Sequence, residues 1–497
     1  MDYNNNNNNN NNDDDDDDRL YFEGLIAEEE RKSTDVLKLP AVVEQYVKSA
    51  VEVSKHNNVP AAISYFCMLG ELCKNMVQIT GGRRKDDTRI HFLWMQTSGT
   101  GKSEMYNFFG PVAKLTFEMI NSTYSESLEN PFDIFAVKET TDAALIGSID
   151  MQDTMVEQEN GPPRREKLPV VLQGALEGSG LCVYDEFEYS GVFNQSQHKE
   201  NVVMYLNTFM NSIHGENQII SKKLKDGEVI ECDCQRGIYA TTYIPKDLTK
   251  VIAEKGVMQR MLIYIWEVPQ EIQDEIREGI INEVGTYIDS EKPIKQYANS
   301  LLVIYDLLKK RYEEVGCDPK NTVTFAPEYR EALRNEWLAM RNYVSNSRPE
   351  VLEIAGNFIT RLLGTLTRLS VLCAVAEAPS ITDERKRYVV SAKNVRQASS
   401  LVRQCYKSLV SWLDSALRVK RQSLEQKAGA DDFKDAYLSI KNTTKDDWVN
   451  KTILFGEVRK RTNKGDSTIY KHFQKILNEF EQKKIGHKSY VKLKEEK

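Results

Sequence analysis

A chain of 497 residues is long enough for about three domains of roughly 150 residues each. With 28% charged and 40% apolar residues, and no unbroken apolar run near the roughly 20 residues that span a bilayer, its composition argues against a membrane protein and predicts a soluble, unexported, cytoplasmic one. The formal net charge of −8 excludes a uniformly basic nucleic-acid coat, although it averages an acidic beginning with a basic end.

Residues 4–18 are an Asn run followed by an Asp run, which cannot bury apolar surface, so residues 1–24 are expected to be a disordered tail. Val42, Val43, Tyr46, Val47 and Ala50, then Ile63, Phe66, Cys67, Leu69, Leu72 and Met76, recur at helical spacing and predict a helical N-terminal domain over 25–85. Ile90–Met95 reads as a strand that enters a glycine-rich turn and then a helix, the opening of an α/β nucleotide fold. Strands predicted at 180–184, 219–225, 228–234, 237–242 and 262–266 alternate with helices such as 201–213, so the α/β core is expected over 86–270. Residues 271–428 return to helical periodicity, and 429–497 form a small basic domain. The eight cysteines are scattered through apolar segments, and Cys232 and Cys234 fall on the same face of a strand. That pattern predicts reduced core thiols rather than a metal cluster.

The segment Gln96-Thr97-Ser98-Gly99-Thr100-Gly101-Lys102-Ser103 matches the Walker A pattern at Gly101-Lys102-Ser103 and carries Gln96 where that pattern has its first glycine. The glycines allow backbone N–H groups to turn around phosphate oxygens, Lys102 reaches the β and γ phosphates, and Ser103 holds Mg²⁺. ATP and Mg²⁺ are therefore the expected ligands. Leu181–Tyr184 is an apolar strand that ends in Asp185 and Glu186, an acid for the Mg²⁺ shell and an acid to activate water. Gly237–Thr242 is a further strand ending in hydroxyls, of which Thr242 is the first choice and Thr241 the second to contact the attacking water. Arg260, just before the strand 262–266, carries a planar, always-charged fork suited to developing phosphoryl charge.

These motifs in this order resemble the AAA+ proteins, in which an arginine at the place of Arg260 reaches the γ phosphate bound to a neighbouring subunit. The Asp226-Gly227 pair, flanked by β-prone residues, predicts a tight hairpin with Lys222, Lys223 and Lys225 available for phosphates. Its position resembles the pre-sensor hairpin of the branch that holds MCM and superfamily III helicases, where it grips DNA in the ring channel. Thr360–Ser370, with Arg361, a seven-residue step and Arg368-Leu369-Ser370, resembles the MCM lid helix, which implies a second-sensor role for Arg361. The layout is also similar to replication helicases of phages and plasmids.

Residues 451–497 hold 13 Lys/Arg against 6 Asp/Glu. Their order looks like a winged helix: a helix over 454–462, a turn over 463–466, a recognition helix from 467 with Thr468, Lys471 and Lys475 facing DNA, and a wing over 485–493. The expectation is an α/β AAA+ P-loop core with a helical N-terminal domain, a helical lid and a C-terminal winged helix. The resemblance implies a DNA-stimulated ATP hydrolase, a hexameric replicative helicase moving on single-stranded or forked DNA beside other replication proteins. An initiator or helicase loader that binds DNA without unwinding is the alternative, followed by a AAA+ remodeller that acts on no nucleic acid.

Overall fold

The structure, a computed structural model, describes residues 36–137, 141–158, 161–187, 192, 201–215, 219–223, 229–233, 235–245, 248, 252, 256–284, 291–462 and 466–494. The acidic tail at 1–24 lies outside them. The chain divides into two compact units, one ending at Trp412 and the other running from Leu413.

The first unit is α/β. Helices α1 (Ala41–Ser54) and α2 (Asn58–Cys73) lead into β1 (Phe92–Gln96), the turn 97–101 and α3 (Lys102–Thr123). Then come β2 (Phe132–Ala136), a ribbon of β3 (Gly147–Gln158) and β4 (Gly161–Gln173), and β5 (Ser179–Tyr184). Helix α4 (Val202–Phe209), the hairpin strands β6 (Ile219–Lys223) and β7 (Val229–Asp233), β8 (Gly237–Thr242), α5 (Gly256–Arg260) and β9 (Leu262–Trp266) complete the core. Five strands form one sheet in the order β9-β1-β8-β5-β2, every neighbour parallel. Strands β1, β5 and β8 are buried along their whole length, which is why they read as continuous apolar runs rather than alternating ones.

Helix α2 is buried from Val59 to Cys73 and packs on β5 and β8, while α1 packs on α2 and α3. The helical segment expected as a separate N-terminal domain is thus a layer of the first unit. Its helices after the sheet are α6 (Gln270–Glu283), α7 (Glu291–Glu314), α8 (Tyr329–Ser345) and α9 (Pro349–Glu377). Among the described residues one helix, Pro349–Ser380, is long and apolar enough to cross a membrane, and 67% of its apolar window is buried inside the protein. It is therefore a core helix of this unit. Helix α10 (Ala392–Thr444) carries the division between the units.

In the second unit, β10 (Val449–Asn450), α11 (Lys451–Thr462), α12 (Asp466–Lys475), β11 (Phe480–Ile485) and β12 (Lys488–Leu493) follow the end of α10. Phe433, Tyr437, Leu454, Val458, Ile469, Phe473, Phe480 and Val491 form its core. A three-stranded antiparallel sheet in the order β10-β12-β11 closes it.

Candidate functional site

All five parallel strands point the same way, so the loop after β1, the acids after β5 and the hydroxyls ending β8 share the carboxyl edge, where open α/β sheets bind ligands. In the turn after β1, Gly99 has φ 71° and Gly101 φ 96°, left-handed values that side chains resist. A Cβ on Gly99 would meet open space, so only its backbone angle demands glycine. A Cβ on Gly101 would also lie 2.2 Å from the Ser54 carbonyl oxygen. Helix α3 starts at Lys102, so the amides of its first turn and its positive dipole end face the loop. Lys102 Nζ donates to the carbonyls of Gln96 at 2.7 Å and Thr97 at 3.0 Å, holding the ammonium across the loop. Ser98, Gly99 and Ser103 are exposed, whereas Gln96 and Thr100 are buried. Gln96 has no positive φ, so glycine is not required there.

Asp185 and Glu186 are both exposed at the end of β5. The register Ala240↔Tyr184 brings the next pair together, and Thr241 Oγ1 lies 2.7 Å from the Asp185 carbonyl and 3.2 Å from its Oδ1. Thr242 is buried one step on, level with Met95 of β1. The hydroxyl joined to the acid is therefore that of Thr241, the second choice from sequence, because successive residues of a strand face opposite sides. On α3, the helix that bears Ser103, the Tyr106 hydroxyl has its pKa raised by burial and further by the Asp185 charge. An exposed hydroxyl and an exposed carboxylate are hard oxygen donors, and few of them suffice for Mg²⁺, which keeps waters and phosphate oxygens in its shell.

Arg260 closes α5, and its Nη1 donates to Asn207 Oδ1 at 2.8 Å and to the Gly256 carbonyl at 3.2 Å. Burial lowers its pKa and the charge of Arg361 lowers it further, so the two guanidiniums occupy one neighbourhood. Arg361 is exposed on α9. Arg368, seven residues and about 10 Å further along that helix, reaches Asp86 at 3.6 Å.

The hairpin expected before the β8 strand exists as β6 paired with β7, with Lys222 opposite Ile230 and Lys223 opposite Val229. Lys225 and the Asp226-Gly227 turn lie outside the described residues. Both ends of the hairpin are anchored at the amino edge of the sheet. On its approach, the Asn211 carbonyl accepts from Arg89, the Ile213 amide donates to Asp87 Oδ2 at 2.9 Å, and His214 Nε2 lies 3.0 Å from the Lys74 carbonyl. On its exit, Lys74 Nζ donates to the Gln235 carbonyl, Arg89 Nη1 donates to the Arg236 carbonyl at 3.2 Å, and Arg236 pairs with Asp133. Lys74 also pairs with Glu71 at 2.9 Å, both fully buried. Burial opposes ionisation of Asp87, yet the Arg89 and Arg368 guanidiniums and the Ile213 amide outweigh it and hold its carboxyl below the usual carboxylate range. Burial raises the Glu71 pKa, against the pull of Lys74, and lowers that of Lys74.

In the second unit Lys471 is exposed on α12. Thr468 and Lys475 are on the same helix, their side chains outside the described residues. Six cysteines are buried and Cys317 is exposed, while Cys234 lies outside the described residues. Two features near the site escaped the sequence reading. One is the β3–β4 ribbon, whose return strand carries Pro162, Pro163 and Pro169, residues that argue against a strand. The other is Asn57, whose carboxamide donates to the Thr100 carbonyl at 3.1 Å, and whose only sequence signal was its place between two helices. No model of a known protein family matches this chain, and no curated protein matches its sequence.

Proposed function

We propose that this protein is an ATP-hydrolysing AAA+ motor of the helicase kind, working as a ring on single-stranded or forked DNA. The observation that carries the reading is the carboxyl edge of the sheet. There a loop with two left-handed glycines ends at a helix N-terminus, two strands away from a strand that ends in Asp185 and Glu186, with Thr241 between them on β8. A loop that presents amides and a lysine suits phosphate, and the separate acid pair suits hydrolysis.

In this reading Lys102 leaves the carbonyls of Gln96 and Thr97 for the β and γ phosphates, and the first amides of α3 bind phosphate oxygens. Mg²⁺, which Ser103 and Asp185 would hold, supplies charge neutralisation on the phosphates when bound. Glu186 takes the proton of the attacking water as its oxygen bonds to the γ phosphorus and the bond to ADP breaks. Thr241 fixes the Asp185 carboxylate through its hydroxyl. Arg260, steadied by Asn207 and accompanied by Arg361, is assigned to the γ phosphate of a neighbouring subunit.

The β6–β7 hairpin, with Lys222 and Lys223 on one strand, is assigned to the DNA backbone. The second unit has the helix and sheet order of a winged helix, and exposed Lys471 on α12 is assigned to phosphates of the same ligand. ATP turnover with and without single-stranded DNA, and strand displacement on a fork, measured on one preparation, test the reading. DNA-stimulated turnover with displacement is expected. Stimulation without displacement would point to a loader, and turnover indifferent to DNA would remove nucleic acid from the function.

A further inference from the structure

We infer that Gln96 and Asn57 form a buried brace that sets the phosphate loop from behind, so that replacing Gln96 by the glycine of the Walker pattern weakens ATP binding instead of improving it. The inference rests on the nucleotide-binding reading and concerns how that loop is held.

Gln96 and Asn57 are 0% and 1% exposed. The Gln96 carboxamide is held at both ends: Oε1 accepts from Trp94 Nε1 at 2.6 Å, while the two Nε2 hydrogens are shared among Thr100 O at 2.8 Å, Thr100 Oγ1 at 2.8 Å and Asn57 Oδ1 at 3.1 Å. Asn57 Nδ2 donates to the Thr100 carbonyl at 3.1 Å and to Ser54 O at 2.7 Å. Although Asn57 is the residue before α2, its side chain makes no capping bond to that helix. The carboxamide is committed to the loop.

Both side chains therefore converge on one atom, the Thr100 carbonyl oxygen. In a trans peptide the carbonyl and the following N–H point in opposite directions, so pinning that oxygen to the buried side turns the Gly101 N–H away from the brace and toward the concave side of the loop. Thr100 Oγ1 also donates to the Thr97 carbonyl at 2.6 Å, which closes the turn from within. The close approach of Ser54 and Asn57 to Gly101 leaves no room for that peptide to rotate with a side chain attached. A loop ordered before phosphate arrives loses less freedom on binding. With glycine at 96, the Thr100 carbonyl would keep the Asn57 donor, and buried Trp94 Nε1 would lose its Gln96 acceptor.

The test uses the full chain and a fluorescent ATP analogue, with equilibrium titration and steady-state turnover on the parent, Gln96→Gly, Asn57→Ala and the double variant, and Lys102→Ala as the control. Gln96→Gly and Asn57→Ala should each weaken binding about tenfold, equivalent to about 1.4 kcal/mol. The double variant should be little weaker than either, because both groups hold the same carbonyl. KM should rise in step with Kd while kcat falls less than threefold, since the loop binds ground state and transition state alike. Gln96→Gly binding as tightly as the parent or tighter, or the two effects multiplying in full, overturns the brace. Should Gln96→Gly fail to fold, Asn57→Ala decides alone by the same split, and parental affinity in it overturns the brace. A parent that binds no analogue defeats the nucleotide reading and the brace with it, whereas a parent that binds, a Lys102→Ala chain that does not and an indifferent Gln96→Gly defeat the brace only.

Discussion

At the carboxyl edge of the sheet Asp185, Glu186 and Ser103 are exposed, whereas at the amino edge Glu71, Lys74, Asp87 and Arg89 are buried and bonded to one another and to backbone. Both edges concentrate charge, but one leaves it to solvent and the other encloses it. Exposed charge at a strand end costs little to keep and is available to a ligand. Enclosed charge is stable only when every partner is present, so it serves position rather than chemistry. Here it ties the approach to the β6–β7 hairpin, at Ile213, and the exit from it, at the Arg236 carbonyl, to Asp87 and Arg89 just before β1. Substitutions at the open edge should therefore remove function and spare the fold, and substitutions at the closed edge should do the reverse.

The largest effects are expected at the open edge. Lys102→Ala should abolish ATP binding, and Glu186→Gln should keep binding while turnover falls by at least a hundredfold, because phosphate charge and water activation are separate tasks. Titration with ATP and single-turnover hydrolysis check both. The thermal midpoint of each unliganded variant should stay close to that of the parent. A large drop in either would break the contrast between the edges.

Asp87→Ala tests the closed edge. It leaves the Arg89 guanidinium buried beside an empty position and should cost about 3–5 kcal/mol, read by denaturant unfolding. The pH dependence has a definite sign. Asp87 has its folded pKa depressed below the unfolded value of about 3.9, so its contribution is fully present above that value and is lost as pH falls through the folded pKa. Glu71 is raised instead, so its protonated form is favoured below its unfolded pKa and that contribution is lost as pH rises through the folded pKa. The parent should lose stability on acidification below about pH 4, and Asp87→Asn, already weaker, should lose less over the same range. Equal acid slopes would remove Asp87 from the network.

Sequence reading singled out residues that lie at the open edge and passed over the closed one for a physical reason. Phosphate chemistry demands particular residues at short spacing, so Gly99, Gly101, Lys102 and Ser103 announce themselves within five positions, and the fully buried β5 and β8 appear as apolar runs. A buried ion network has no such grammar. Glu71 and Lys74 read as a charged turn of helix, and Asp87 and Arg89 as polar residues before a strand, until Gln235 and Arg236 arrive from far along the chain. Strand β2 passed unnoticed because Asp133 interrupts the apolar run of Phe132–Ala136, of which only Phe132 is buried. That Thr241 lies against Asp185 needed the register with β5, which pattern alone does not supply.

The hairpin joins the two edges in one experiment. Lys222→Ala with Lys223→Ala should leave the anchoring residues untouched and keep ATP affinity within about twofold, yet remove DNA stimulation of turnover, since phosphate contacts supply that attraction. The comparison of turnover with and without single-stranded DNA reads it. Stimulation at the parental level would take the hairpin out of DNA binding and leave the anchored base as a purely structural device.

The smallest effect is expected at a single exposed charge, Lys471 on α12 of the second unit. If this lysine meets a DNA phosphate, its replacement by alanine removes one cation without opening a core, because Ile469 and Phe473 on the same helix carry the packing. Affinity should fall only a few-fold, and equally for unrelated DNA sequences, as a phosphate carries no base information. The more telling quantity is the salt dependence. Each phosphate contact contributes about 0.7 units to the slope of log K against log salt on single strands and about 0.9 on duplex, so the slope should become shallower by about that amount on each ligand. Titrations at several salt concentrations on both ligands measure it. An unchanged slope with unchanged affinity would place Lys471 among solvated charges and turn the search for DNA contacts in this unit to other residues.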